Sequence, residues 1–186
     1  MEDNDILLNE NQQPEGNKKK NIKPLIMFFG VFSVLIAAYY LSVTVIDKSI
    51  FDFYIHSAAN ISVFLLNILG ENAVALGKVI STPRFTMALS FGCEGSEPIV
   101  LFLSALVAFP IGIKYKIPGF LIGGAFLYFL NQIRIIGLYY IGIHYNDLFE
   151  TFHVEIFPIF FIVLAIIFWG IWIKWALKKS GISLKK

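Results

Sequence analysis

The sequence predicts an all-α integral membrane protein of about four transmembrane helices, with an extracytoplasmic segment carrying an interfacial helix and a short β-hairpin. Three observations predict it. Of the 186 residues, 57% are hydrophobic and only 15% charged, against about 45–50% and ~25% in soluble domains. Nineteen Phe and eight Tyr are more than one small aqueous core can cover without large exposed apolar patches. The positive charges are also gathered into a few clusters at the ends of long apolar runs. A soluble enzyme and a disordered chain are excluded. The single cysteine, Cys93, excludes an intramolecular disulfide, a CxxC redox pair and a four-cysteine zinc site.

Residues 1–24 are polar, with a Lys18-Lys19-Lys20 run, and read as a disordered cytoplasmic tail. The 22 residues of 25–46 carry no charge; at 1.5 Å per residue they cross a hydrocarbon layer of about 30 Å. No small-x-small cleavage site follows before Asp47, so the run reads as a retained span and not a signal peptide. Segment 47–97 is mixed. Its part 51–69 is apolar with Asp52, His56, Ser57, Asn60 and Asn67 interspersed, the pattern of an interfacial or re-entrant helix, with a hidden extra span as the alternative.

Further on, Phe85, Met87, Leu89 and Phe91 alternate with Thr86, Ala88, Ser90 and Gly92. That is a period-2 strand pattern, and Ser81-Thr82-Pro83 supplies a turn before it. The remaining spans are 98–113, 117–143 and 153–175, the third span being interrupted by Asn131, Gln132 and Arg134. One transmembrane domain, 25–177, is thus followed by a basic cytoplasmic tail, 178–186. Lysines give the orientation: four precede the first span, two (Lys114 and Lys116) separate spans two and three, and five end the chain. These eleven of fifteen basic residues lie on one side in a four-span arrangement. The opposite loop has Asp147 and Glu150 and no Lys or Arg. Both termini are expected in the cytoplasm of a cell whose inner membrane the chain crosses repeatedly.

Few polar groups sit where hydrocarbon is expected. Arg134, seventeen residues past Ile117 and so roughly 26 Å along an ideal helix, falls in the outer part of span three. An ionised Arg there costs ~2.5–3.5 kcal/mol on insertion scales and is expected to face a polar interior; snorkelling or a structural ion pair is the competing reading. Asn131, at i−3, shares its face. Cys93 stands in Gly92-Cys93-Glu94-Gly95-Ser96-Glu97-Pro98. Ser96 or Glu97 is expected to cap the following helix, whose N-terminus lowers the pKa of a nearby thiol. Gly95 adds backbone freedom and N–H groups of the kind an oxyanion needs. A lone cysteine is otherwise a small buried hydrophobe.

His153 opens the last span, His144 closes the third, and His56 lies on the amphipathic segment as a structural residue. No two histidines have zinc-pair spacing, so neither a metal nor a cofactor is expected. Cys93, Arg134 and His153 come from different spans, yet the topology brings all three to the outer edge of the bilayer. A thiolate, an acid/base and a fixed guanidinium make an acyl-transfer set.

Cys93-Glu94-Gly95 at the mouth of a span, the Asn131-Gln132-Ile133-Arg134-Ile135 run and His153 at the next span resemble the exosortase/archaeosortase family of membrane transpeptidases. The likeness covers roughly 85–169, in a chain shorter than the family's larger members. The resemblance implies a thiol protease or transpeptidase with Cys93 as nucleophile, His153 as acid/base, Arg134 as stabiliser and Asn131 positioning it. It implies partners too: exported substrates with a C-terminal motif–helix–basic tail, the surrounding membrane lipids, and an acceptor of lipid or glycan chemistry. Nothing points to nucleic acid. The alternative is a non-catalytic membrane assembly or transport component in which Arg134 lines a polar pathway.

Overall fold

The structure is a computed structural model that describes residues 22–45, 49–89 and 95–181. Of the tails expected at 1–24 and 178–186, residues 1–21 and 182–186 lie outside the described residues, as does 90–94 with Cys93 and Glu94. The chain is mostly helical. Its first helix, α1 (Lys23–Val45), is apolar on every side and exposes Leu25, Ile26, Phe29, Val34 and Leu41, which suits a lipid-facing span.

Helix α2 (Ser49–Ile68) buries one stripe, Ile55, Ala58, Ala59, Ser62 and Leu66, and exposes Asp52, His56 and Asn60. The ring of Tyr54 meets Tyr128 edge-on, and eight residues later Ser62 donates to Gln132. Helix α2 therefore runs alongside the later helix α5 in the same direction.

A three-stranded antiparallel sheet follows: β1 (Val74–Leu76), β2 (Val79–Ser81) and β3 (Thr86–Ala88), in the order β1-β2-β3. Ala75 pairs with Ile80, and Ile80 with Met87. Gly77, at φ 64°, opens the two-residue turn after β1, where hairpin twist requires positive φ. In the second turn Thr82 Oγ1 accepts the N–H groups of Arg84 and Phe85 at 3.2 and 3.0 Å. Ile80, Met87 and Leu89 are buried while Thr86 and Ala88 are exposed, so the predicted alternation holds over 86–89; its remaining positions, Ser90, Phe91 and Gly92, lie outside the described residues. Strand β1 has no counterpart in the sequence reading; three residues are too few to show a period. Asn67 fastens the sheet to α2: its Nδ2 donates to Ala73 O and its Oδ1 accepts from Ala73 N, at 3.0 and 2.7 Å.

Helix α3 (Ser96–Ala108) has 13 residues, about 20 Å, and stops short of the expected 98–113. Phe109 turns extended ahead of Pro110, which lacks an N–H and disfavours helix in the residue before it. The chain then re-enters helix at α4 (Ile113–Pro118), passes a π turn at Gly119–Gly123 and continues as α5 (Gly124–His144). A 3-10 turn (Asn146–Leu148), the short α6 (Phe149–Thr151) and a second π turn (Phe152–Ile156) lead into α7 (Phe157–Ser180). Lys178 and Lys179, expected in a tail, form the last turn of α7. Among the described residues three helical runs are long and apolar enough to cross a membrane: Lys23–Thr44, Ile113–His144 and Asn146–Ser180.

Two cores result. One joins α2, the sheet and the far half of α5, around Leu66, Ile80, Leu138 and Tyr139. The other joins α3, α5 and α7, around Phe102, Leu106, Leu127 and Trp172.

Candidate active site

Helix α5 is the axis of the site. Asn131, Gln132 and Arg134 are 0%, 1% and 2% exposed in an otherwise apolar helix. Asn131 and Arg134 share a face, as the i, i+3 spacing predicts. Gln132 lies about 100° round and turns to α2, where its Oε1 accepts the Ser62 hydroxyl at 2.8 Å.

Arg134 reaches across to the turn before α7. Its Nη2 donates to the His153 carbonyl at 3.2 Å, and its Cζ lies 5.9 Å from the centre of the Phe161 ring, within cation–π range. The His153 carbonyl accepts because the local fold deprives it of its usual donors. Phe157 N–H bonds Phe152 O, one residue further back than in an α-helix, and residue 158 is Pro, which has no N–H. A buried carbonyl without a donor is costly, and the guanidinium supplies one. The His153 ring, half-buried, leans toward the preceding turn. There it lies 5.6 Å from the Phe149 ring, with Nδ1 4.0 Å from Glu150 Oε2. Arg134 is thus joined to the backbone of His153, while the imidazole contacts its own turn.

Gly95 enters from α3. It holds the N-cap position at φ 77° and ψ 17°, a left-handed conformation that favours glycine. It is also buried, and a Cβ there would overlap Oδ1 and Cγ of Asn131. The cap expected from Ser96 or Glu97 is not made. Instead Ser96 Oγ pairs with Tyr39 OH at 2.5 Å, and Tyr40 OH donates to Glu97 Oε1 at 3.3 Å, tying α1 to the start of α3. Of the expected site residues, the structure brings together Asn131 with Gly95 and Arg134 with His153. Cys93 lies outside the described residues. His144 stays exposed at the end of α5, its Nδ1 2.9 Å from Tyr140 O. His56 lies near Gly77 of the sheet. Among the described residues no group of three or more His, Cys, Asp or Glu is arranged to hold a metal.

The sequence reading missed a polar cluster further along α5. Tyr139 OH donates to Glu71 Oε2 at 2.7 Å and lies 3.1 Å from Thr82 Oγ1. Arg84 grips the same carboxylate through Nη2 to Oε1 and Nε to Oε2. The Tyr139 hydrogen bond, assisted by Arg84 and opposed by burial, holds the Glu71 carboxyl below the usual carboxylate range. One signal was available: Arg84 is one of only two arginines in the chain.

A family model for transmembrane exosortases matches residues 24–170, from α1 into α7 and across every residue of the site. The chain belongs to the transmembrane exosortase family. The resemblance read from its three short motifs therefore holds, and the match extends it back through α1. At family level this exosortase is a membrane protein of a sorting-related, cysteine-type transpeptidase class. Neither a curated protein nor a solved structure matches the chain.

Proposed function

We propose that this exosortase is a cysteine transpeptidase that removes C-terminal sorting tails from exported proteins at the extracytoplasmic face, both its termini lying in the cytoplasm. Supporting the reading is one convergence: the α3 cap at Gly95 and the π turn at His153 both meet the buried Asn131–Arg134 face of α5. Cys93 precedes Gly95 by two residues, a tether of about 7 Å at most. In this reading the Cys93 thiolate attacks the scissile carbonyl carbon and a C–S bond forms. The C–N bond breaks, and His153 gives its proton to the departing amine. Arg134 stabilises the thiolate and the developing oxyanion, Asn131 orients Arg134, and Gly95 lets the chain approach. A hydroxyl or amine of a lipid or glycan acceptor then attacks the thioester, losing its proton to His153 as the C–S bond breaks and the thiolate is returned; water in its place gives hydrolysis.

The substrate's own helix confines it to two dimensions and delivers its cleavage motif at the membrane face. The test is processing of a co-expressed protein bearing a motif–helix–basic tail. Cys93→Ala, Arg134→Ala and His153→Ala are each expected to stop it while the protein still accumulates in membranes. Processing unaltered by Cys93→Ala but lost with Arg134→Ala would leave the assembly or transport reading instead.

A further inference from the structure

We propose that Tyr139, acting with Glu71 and Thr82, is a positioning residue for the exosortase reaction: it registers the β-sheet, and the chain leaving β3, on the helix that carries Asn131 and Arg134. The inference rests on the catalytic reading above.

Tyr139 is fully buried, five residues from Arg134 and so about 7.5 Å further along α5. Its hydroxyl contacts both flanks of the β1–β2 hairpin, Glu71 before β1 and Thr82 just after β2. Phe85, in the turn that Thr82 organises, seats its ring against Gly142, where a Cβ would overlap it, and stands edge-on to Tyr139 at 6.2 Å. From that turn β3 runs to Leu89, which is buried and whose N–H bonds Lys78 O at 2.9 Å. On the other side of 90–94, Gly95 packs on Asn131. Both flanks of 90–94 are therefore referred to one helix, at positions eight residues or about 12 Å apart.

A sheet needing only attachment already has it, because Asn67 fastens Ala73 to α2 without touching α5. Beyond that attachment, the Tyr139 hydroxyl sets the register of the sheet on α5. Removing it is expected to leave a folded sheet whose exit is no longer fixed relative to Arg134.

The single cysteine makes the test direct. Iodoacetamide alkylation of the full chain in its membrane reports Cys93 alone, and its rate against pH gives the thiol's midpoint. In the wild type the midpoint is expected below the ordinary ~8.5 of a free thiol. Tyr139→Phe is expected to accumulate normally, raise the midpoint by about one unit and slow alkylation at pH 7 by up to about tenfold. Glu71→Gln, which keeps an acceptor for Tyr139, is expected to shift it less in the same direction, and it serves as the readout if Tyr139→Phe fails to accumulate. A low wild-type midpoint that neither variant moves overturns the positioning role alone. An ordinary wild-type midpoint overturns it together with the catalytic reading, which processing by Cys93→Ala tests separately.

Discussion

Around Gly119 and Gly123 the helices meet through apolar shape: a Cβ on either glycine would overlap Phe102 or Leu106 of α3, or Trp172 of α7. A dozen residues further along the same helical run, around Asn131, Arg134 and Tyr139, the contacts are hydrogen bonds. Among the described residues, every buried polar or charged side chain except Ser104 lies at that end: Ser62, Glu71, Thr82, Ser96, Asn131, Gln132 and Arg134. Helices in lipid gain little from burying apolar surface against one another, so small residues that allow close approach hold the first region together. Polar side chains bring a desolvation cost that shape alone does not require. Their concentration at one end is best explained by what that end does. The comparison also shows where substitutions act differently: by volume at one end, by hydrogen bonding and backbone conformation at the other.

The largest expected effect lies in the apolar region. Gly123→Leu places a branched side chain where the Phe102 ring already sits, and the cost should exceed the ~1–3 kcal/mol of ordinary overpacking. The protein should fail to accumulate in membranes, whereas Gly124→Leu, with nothing within 4 Å of its Cβ position, should accumulate as wild type. Equal accumulation of the two, measured by quantitative blotting of membrane fractions, would show that α5 is not held by this close approach.

The second prediction separates conformation from contact at the polar end. Gly70 and Gly95 both have left-handed φ, 87° and 77°, so alanine costs each about 1–2 kcal/mol of backbone strain. Only Gly95 also faces Asn131; Gly70 has open space. Gly95→Ala should therefore lower the detergent-solubilised melting temperature more than Gly70→Ala and abolish substrate processing, with Gly70→Ala retaining it. Matching losses in the two variants would mean that the Asn131 contact contributes nothing beyond the turn.

The residues themselves show why some of this could be read in advance and some could not. The long apolar runs of α1, α5 and α7 declare themselves because a span needs about twenty consecutive apolar residues. Asn131 and Arg134 were legible as one face because helical periodicity is local. Strand β3 was legible from its alternation, and Pro110 marks the stop that shortens α3. The Gly95–Asn131 packing joins residues 36 apart in sequence, and Tyr139–Glu71 joins residues 68 apart; no local pattern encodes either. The π turn at Phe152–Ile156 depends on a guanidinium from another helix accepting the role of a missing backbone donor. Pro158 was the visible half of that arrangement and Arg134 the other half, but nothing in the sequence pairs them.

The smallest predicted effect is a pH response confined to the sheet. The Glu71 carboxyl is held below its ordinary range by Tyr139 and Arg84, so its folded-state pKa lies below its unfolded one. The sheet's docking on α5 is then at full strength above the unfolded value, about 4.3, and is lost as pH falls through the lower folded value. Hydrogen exchange, corrected for the intrinsic pH dependence of the amide reaction, should show faster opening of the β2 and β3 amides below pH 4. The α3 and α7 amides around Phe102 and Trp172 should not respond, because that core contains no carboxylate. Glu71→Gln should flatten the sheet's response, since an amide does not titrate. A response of equal size in both regions, or one that survives Glu71→Gln, would mean that acid acts on the bundle as a whole and that the polar lock at Tyr139 is not what distinguishes its two ends.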